Sequence, residues 1–224
     1  YYGYSRQERK AAPREPITAK LVADVLTTAG ACRVVTIDLH APAIQGFFNI
    51  PVDHLTALDL LCEYLKSKRI ARPVVVSPDA GRVSTAENLA SQLDAPFAVM
   101  IKKRPAHNES VVTHIIGEVE GRTPIIIEDM IDTGTTILQA VEGLRERGAE
   151  SAYVCATHGI FSGHALRKLD HPAIAEVVVT DSIRIPEGGA PRFRVLTVAP
   201  LLADAIRIIT EGGSISTLFR NKGI

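Results

Sequence analysis

The sequence predicts an α/β fold in which helices flank a mostly parallel β-sheet. Short apolar runs of four or five residues alternate with segments whose apolar residues recur at positions i, i+3, i+4 and i+7. Runs that are apolar throughout are typical of strands buried on both faces, and strands that alternate with helices favour a parallel sheet. The composition, 46% hydrophobic and 22% charged, fits a globular chain.

The apolar runs are predicted as strands, and each is followed by a polar or turn-forming stretch. In chain order they cover residues 34–37, 73–77, 97–101, 123–127, 177–180 and 194–198. In open α/β sheets, ligands bind beyond the carboxyl ends of the strands, so the residues that follow these runs are the candidates for a site.

The segments between the strands are predicted as amphipathic helices. Leu21, Val25 and Leu26 share a face of the first, and Gly30 and Gly148 are suited to helix ends. Three further helices carry the full apolar spacing, at residues 86, 89, 90 and 93, at residues 137, 140, 141 and 144, and at residues 202, 205, 206 and 209.

The charge balance narrows the function classes. Twenty-five basic and 25 acidic residues give a formal net charge of zero, which argues against a broad nucleic-acid or membrane surface. Since no apolar run reaches the roughly 18 residues of a spanning helix, we expect a cytoplasmic protein. Cys32, Cys62 and Cys155 lie far apart and are predicted to be small buried hydrophobes.

Residues 124–136, with the sequence PIIIEDMIDTGTT, carry the clearest chemical signal. We predict a strand at 125–127 closed by Glu128 and Asp129, a tight turn, and a helix that begins near Thr136. Adjacent carboxylates can accept hydrogen bonds from the vicinal hydroxyls of a ribose. A glycine-containing turn at a helix N-terminus offers backbone N–H groups to a phosphate. The segment therefore predicts a site for a phosphorylated ribose; alternatively, Asp132 merely caps the helix.

This pattern resembles the phosphoribosyl-binding motif of type I phosphoribosyltransferases. Other parts of the chain are similar to the ribose-phosphate diphosphokinase family, also called phosphoribosyl pyrophosphate synthetases. The similarity covers essentially the whole chain and includes residues 6–10 (RQERK), 38–41 (DLHA), 77–81 (SPDAG), 156–163 (ATHGIFSG) and 213–219 (GSISTLF).

The resemblance implies a phosphoribosyltransferase-like fold with one complete domain and part of a second, similar domain. We expect residues 1–52, with 208–224 packing back on them, to form the remainder of an N-terminal domain, and residues 53–207 to form the C-terminal domain. The family's first strands and helices, which supply part of the adenine pocket, are absent from this chain, so the chain alone is expected to hold adenine poorly, and its activity is left open.

The family uses Mg²⁺ to transfer the diphosphoryl group of ATP to ribose 5-phosphate, and it assembles as dimers up to hexamers. The resemblance assigns ATP contacts to Arg6, Gln7 and His40, and Mg²⁺ ligands to His40 and Asp79. It assigns catalysis to Lys102 and Arg104 in a mobile loop, where cations would stabilise charge on the transferred group.

The ribose 5-phosphate contacts implied by the resemblance lie mostly in the motif. They comprise Arg104, Glu128, Asp129, Asp132, Thr133, Gly134, Thr135 and Thr136. Ser214, Ser216 and Thr217 resemble a regulatory phosphate or ADP segment of the family; alternatively, they are a polar tail after a helix.

Several positions depart from the family's pattern, among them Glu8, which stands where Asp is common, and residues 83–85 (VST), which lack the basic residues common there. Glu128 stands where Asp is usual, Thr135 where Gly is usual in the turn, and Arg82 where a second Gly follows Gly81. The changes at residues 82–85 leave family-type ADP regulation and loop mobility open.

Two other functions compete with the diphosphokinase. One is a non-catalytic relative that binds the synthetase and regulates it. The other is a phosphoribosyltransferase, which would share residues 128–136 but would not need Arg6, Gln7 or the Asp38–His40 stretch. Formation of AMP from ATP and ribose 5-phosphate separates the three.

Overall fold

The computed structural model describes the backbone of residues 1–10, 12–106, 109–186 and 191–219, and the same side chains apart from 102–113 and 219. The elements in chain order are α1 (Thr18–Thr28), β1 (Val34–Ile37), β2 (Val52–Leu55), α2 (Leu58–Lys68), β3 (Pro73–Ser77), α3 (Val83–Leu93), β4 (Phe97–Ala106), β5 (Glu109–Ile116), β6 (Thr123–Ile131), α4 (Thr135–Arg145), β7 (Ala152–Gly159), α5 (Ala165–Leu169), β8 (Ile174–Thr180), β9 (Phe193–Leu196) and α6 (Ala199–Thr210). Short 3-10 helices cover Pro42–Phe47, Ala80–Arg82 and Ile215–Phe219. The predicted α/β class is confirmed.

The chain divides into two compact units. Unit 1 comprises residues 1–57 and 197–224, and unit 2 comprises residues 58–196. The division of the chain into a partial and a complete phosphoribosyltransferase-like domain, at 52/53 and 207/208, stays a prediction.

Unit 2 is built on a seven-stranded sheet with the strand order β5-β4-β3-β6-β7-β8-β9. Every neighbouring pair is parallel except β4 and β5, which are antiparallel. The central strands β3 and β6 are buried almost throughout, because helices cover both faces of the sheet.

The two faces of this sheet carry separate cores. Val74, Val76 and Ile126 pack on one face with α4 and α5, whereas Val75 and Ile125 pack on the other with α2 and α3. The predicted apolar stripe of α4 is fully buried, and that of α3 is buried apart from its last residue, which is half-buried. Alternation along each strand thus fixes which helix lies on which face.

Unit 1 pairs β1 with β2 in a two-stranded parallel sheet. Its core joins Tyr2, Leu39, Ile44 and Phe48 to the small residues of α1. Helix α1 buries Ala19 and Ala23, whereas the apolar face read from the sequence is exposed, with Leu21 54% and Val25 57% accessible. In α6, likewise, Ile206 is 57% exposed and only Ala205 of the predicted stripe is buried. The close approach of α1 to its core depends on alanine, which apolar periodicity alone does not single out.

Strand lengths differ from the prediction at two places. Strand β6 continues through Glu128 and Asp129 to Ile131, because Met130 and Ile131 pair with His158 and Gly159 of β7. Strand β4 continues to Ala106, because the antiparallel strand β5 supplies its hydrogen-bond partners. The elements β2, α2, β5, β7 and α5 were not predicted.

The cysteine prediction holds for two of three residues. Cys62 and Cys155 are buried, whereas Cys32 is exposed, so its interpretation as a buried hydrophobe is wrong. Burial raises the pKa of the Cys155 thiol, which keeps it neutral and inert. Within the described part of the chain, no helix is long and apolar enough to cross a membrane.

Candidate active site

Strands β3 and β6 lie side by side at the point where the chain turns in opposite directions along the sheet. From β3 the chain passes through α3 to β4 on one side, and from β6 it passes through α4 to β7 on the other. A crevice opens at the carboxyl ends of strands where the order diverges in this way, and ligands bind there. The residues after β3 and at the end of β6 therefore face one location.

The acidic pair of the motif lies inside the last part of β6 rather than beyond it. Asp129 is 6% exposed, and the side chain of Glu128 is 11% exposed. Both contact Arg82, from the 3-10 helix after β3: its guanidinium lies 3.7 Å from Glu128 Oε2 through Nε and 3.1 Å from Asp129 Oδ1 through Nη2. The sequence prediction missed this contact, because it joins two strands that are distant along the chain.

The turn after β6 is shaped by a glycine. Gly134 has φ +72° at the N-cap of α4, and a Cβ at this position would lie 3.1 Å from Leu169 Cγ. The helix begins at Thr135, one residue earlier than predicted, and Leu138 N donates to the Gly134 carbonyl at 3.0 Å. The N-cap residue of α4 is Gly134, so Asp132 does not occupy the N-cap position that the alternative gave it. The first-turn N–H groups and the helix dipole thus favour an anion here.

The chain after β7 supports this turn from the other side. Ser162 N donates to the Asp132 carbonyl at 3.0 Å, and Ile160 N donates to the Ile131 carbonyl at 2.9 Å. From α5, Lys168 Nζ donates to Thr135 Oγ1 at 2.8 Å. Lys168 is a cation beside the predicted phosphate loop that sequence reasoning missed, since nothing in its own segment signals a site.

Asp79 lies in the turn between β3 and α3. Its Oδ1 accepts a hydrogen bond from Gly81 N at 2.8 Å, and its carbonyl accepts one from Ser77 Oγ at 2.6 Å. Within the described residues there is no group of three or more His, Cys, Asp and Glu side chains that could hold a metal. The single carboxylate of Asp79 is compatible with a Mg²⁺ site, because Mg²⁺ takes most of its ligands from water and substrate phosphates.

In unit 1, His40 follows β1 in a tightly bonded loop. Ala57 N donates to Asp38 Oδ2 at 2.8 Å, and Leu39 N donates to His54 Nε2 at 2.8 Å. Burial lowers the pKa of His54, opposed by the charge of Asp38, so the imidazole is kept in its neutral, accepting form. The predicted ATP contacts Arg6 and Gln7 also belong to this unit and are exposed. The structure describes His40 and Asp79 in different units.

The remaining predicted residues are only partly described. The backbones of Lys102 and Arg104 lie in β4, just after a register shift between Ile101 and Lys102, rather than in a free loop. Their side chains lie outside the described residues. Ser214 and Ser216 are exposed, with their hydroxyl oxygens 2.7 Å apart. Thr217 Oγ1 donates to the Ser214 carbonyl at 2.9 Å.

Comparisons with known proteins agree over nearly the whole chain. Family models described as the phosphoribosyl synthetase-associated domain and the N-terminal domain of ribose phosphate pyrophosphokinase match residues 72–220 and 1–30. The ribose-phosphate pyrophosphokinase of Caldanaerobacter subterraneus subsp. tengcongensis is 52% identical over 98% of this chain and 70% of that protein. The enzyme of that name from Bacillus subtilis is 51% identical over 98% of this chain and 69% of that protein.

A solved structure gives the same result. The crystal structure of phosphoribosylpyrophosphate synthetase from Mycobacterium smegmatis superimposes with a TM-score of 0.88 at 46% identity. The match covers 95% of this chain and 70% of that one.

Proposed function

The chain belongs to the ribose-phosphate pyrophosphokinase family, and we propose that it transfers the diphosphoryl group of ATP to the anomeric hydroxyl of ribose 5-phosphate. The products are 5-phosphoribosyl 1-diphosphate and AMP, a reaction of nucleotide biosynthesis. The observation that carries the proposal is that Glu128, Asp129 and the Asp132–Thr136 turn follow one another at the carboxyl end of β6, beside the point where the strand order diverges.

The acceptor sugar is assigned to this end of β6. Glu128 and Asp129 accept hydrogen bonds from the ribose hydroxyls, because ionised carboxylates are acceptors only. Asp132, Thr133, Gly134, Thr135 and Thr136 hold the 5-phosphate through backbone N–H groups and hydroxyls, with the α4 dipole adding to the attraction. The two groups follow one another along one strand and turn, an order that suits the two ends of a single sugar phosphate.

Diphosphoryl transfer asks the protein mainly for positioned positive charge. The anomeric oxygen attacks the β-phosphorus of ATP, the bond from that phosphorus to the α,β-bridging oxygen breaks, AMP leaves, and the hydroxyl proton is lost to solvent or a nearby base. Mg²⁺, when bound, neutralises charge on the phosphate oxygens.

The residues that serve the donor side are proposed one by one. In unit 2, Asp79 is a Mg²⁺ ligand, and Lys102 and Arg104 on β4 stabilise charge on the transferred group, Arg104 also contacting ribose 5-phosphate. In unit 1, His40 contributes to Mg²⁺ and ATP, and Arg6 and Gln7 contact the nucleotide. Ser214, Ser216 and Thr217 remain a proposed regulatory phosphate segment.

Self-association, as dimers up to hexamers, is also proposed. Helix α1 presents Leu21 and Val25, each more than half exposed, on a face that points away from the unit 1 core. Apolar faces of this kind are typical of surfaces buried in an assembly. Cytoplasmic location stays a prediction.

The test has a binding arm and a turnover arm. Ribose 5-phosphate is titrated calorimetrically into the chain, and AMP formation from ATP, ribose 5-phosphate and Mg²⁺ is followed in parallel. We expect binding of ribose 5-phosphate that is abolished in Asp129→Ala and much weaker for ribose, which lacks the phosphate. Absence of ribose 5-phosphate binding by the unmodified chain contradicts the proposal, and consumption of phosphoribosyl diphosphate with a nucleobase would indicate a phosphoribosyltransferase instead.

A further inference from the structure

Arg82 is the residue of the crevice that neither the motif nor the proposed mechanism uses. It stands at the end of the 3-10 helix Ala80–Arg82, and its side chain is 15% exposed. Two of its nitrogens reach two different carboxylates, Nε toward Glu128 at 3.7 Å and Nη2 toward Asp129 at 3.1 Å. The guanidinium therefore bridges the acidic pair from the 3-10 helix that follows the neighbouring strand β3.

The contacts of Arg82 offset the unfavourable burial of two neighbouring negative charges, those of Glu128 and Asp129. Glu128 and Asp129 are adjacent in sequence and both largely buried, with side chains 11% and 5% exposed. Two carboxylates in such a place repel each other, and burial disfavours the charge of each. A protonated carboxyl donates a hydrogen bond through its proton, so it is a poorer acceptor for a sugar hydroxyl. A fixed cation in contact with both carboxylates offsets their repulsion and part of the cost of burying their charge.

Arginine suits this task better than lysine. Its guanidinium is planar, always charged and able to direct separate N–H groups at separate acceptors. Each carboxylate has about four lone-pair sites, so a single contact from Arg82 uses only part of its accepting capacity. The cation can thus stay in place while the sugar hydroxyls bind.

We propose that Arg82 is a positioning residue for ribose 5-phosphate: it holds Glu128 and Asp129 side by side as carboxylates, ready to accept the ribose hydroxyls. This inference rests on the proposed function, because it assigns the sugar to that pair. It also explains why the contact lies at the sugar end of the site, one element away from the phosphate turn at Gly134.

The experiment compares ligand binding to five forms of the chain by calorimetry: unmodified, Arg82→Met, Arg82→Lys, Glu128→Gln, and Arg82→Met combined with Glu128→Gln. Loss of a buried charge partner is expected to weaken ribose 5-phosphate at least about tenfold in Arg82→Met, with Arg82→Lys intermediate. In the Glu128→Gln background the loss caused by Arg82→Met should shrink at least about threefold, because one of the repelling charges is gone.

Two controls separate positioning from general destabilisation. Inorganic phosphate, which tests only the turn at 132–136, should bind equally to the unmodified chain and to Arg82→Met or Arg82→Lys. Arg192→Met removes another partly buried arginine, which pairs with Asp170 at 2.8 Å, and should leave ribose 5-phosphate binding unchanged. If Arg82→Met does not fold, Arg82→Lys carries the same comparison.

Every outcome of this experiment either supports the inference or overturns it. Equal ribose 5-phosphate affinity in the unmodified chain and the Arg82 variants overturns the inference but leaves the proposed function standing. Equal losses for inorganic phosphate, or effects of Arg82→Met and Glu128→Gln that simply add, also overturn it. If the unmodified chain does not bind ribose 5-phosphate at all, both the inference and the proposed function fail.

Discussion

Two loops at strand ends, one in each unit, are held in place by opposite means. In unit 2 the end of β6 is held by charge, with Arg82 against Glu128 and Asp129. In unit 1 the loop after β1 is held by neutral groups, with Leu39 N donating to the His54 imidazole at 2.8 Å. The first arrangement depends on a partner cation that is charged at every physiological pH, whereas the second depends on a histidine that must stay unprotonated.

The two loops should therefore respond differently to loss of a side chain and to a change in pH. A buried ion pair is costly to break but indifferent to pH near neutrality, because arginine does not titrate there and carboxylates ionise well below it. A neutral histidine acceptor is lost as soon as it gains a proton, because both ring nitrogens then donate. The predictions below test this contrast, beginning with the largest effect.

The largest loss of stability is expected when Arg82 no longer contacts Glu128 and Asp129. Arg82→Met is expected to lower the free energy of unfolding by about 3–5 kcal/mol, because it removes the ion pair that Arg82 makes with the buried Asp129 carboxylate. Denaturant unfolding followed by circular dichroism measures it. The matched control is Arg207→Met: Arg207 also lies 3.1 Å from an aspartate, Asp204, but is 59% exposed, so its loss should cost no more than about 0.5 kcal/mol. Similar losses in the two variants would refute the role given to burial.

The second-largest loss of stability is expected from a substitution that changes the backbone of the turn at residues 132–136. Gly134→Ala and Gly163→Ala both place a side chain at positive φ, +72° and +61°, and share a strain of about 1–3 kcal/mol. Only at Gly134 does the new Cβ meet a neighbour, Leu169 Cγ at 3.1 Å, whereas at Gly163 nothing lies within 4 Å. Gly134→Ala should therefore cost about 1 kcal/mol more and weaken inorganic phosphate binding. Equal unfolding free energies would show that the turn yields without strain.

Acid should loosen the neutral loop. The pKa of His54 is lowered below its ordinary 6.5, so the unfolded chain binds the proton more readily than the folded one. Stability from this group is full above pH 6.5 and is lost as the pH falls below that value toward the folded pKa. The protection factor of the Leu39 amide, which is its intrinsic exchange rate divided by the observed rate, should therefore fall between pH 6.5 and 5. In His54→Gln, which keeps an acceptor but cannot titrate, this pH dependence should vanish; its persistence would exclude His54 as the cause.

The smallest effect is expected at Lys168. Its ammonium donates to Thr135 Oγ1 at 2.8 Å, so Lys168→Met should weaken ribose 5-phosphate about threefold, as expected for an exposed charge, with no change in stability. Arg167→Met is the matched control on the next residue, whose side chain contacts His164 instead. Equal affinities of the unmodified chain and Lys168→Met would exclude a contribution of Lys168 to the phosphate end.

The sequence was informative where a site is contiguous. Glu128, Asp129 and Gly134 could be recognised because one strand, one turn and one helix N-terminus place them in order, and each carries its own chemical reason. The alternation of apolar strands with amphipathic helices likewise predicted the fold class, and the buried stripe of α4 was correct throughout.

The sequence did not predict contacts that depend on which strands are neighbours in the sheet. Arg82 was interpreted only as a departure from a pattern, because nothing local shows that β3 lies against β6 and brings Arg82 to Asp129. The same reason explains the extra length of β4, which requires the antiparallel partner β5. On α1 the apolar period pointed to Leu21 and Val25, but alanines form the buried face, since close packing selects small size rather than hydrophobicity.

The burial of the Arg82 cluster also separates the two ends of the sugar site by their response to ionic strength. Mobile ions screen exposed charges beyond a Debye length of about 8 Å at physiological salt, but they reach buried pairs far less. The cluster, with every side chain at most 15% exposed, is shielded from them, whereas Thr135 and Lys168 at the phosphate turn are exposed. Added salt should therefore weaken binding of the phosphate group but not binding of the ribose hydroxyls. The salt dependence of affinity thus distinguishes the contributions of the two ends of the ligand.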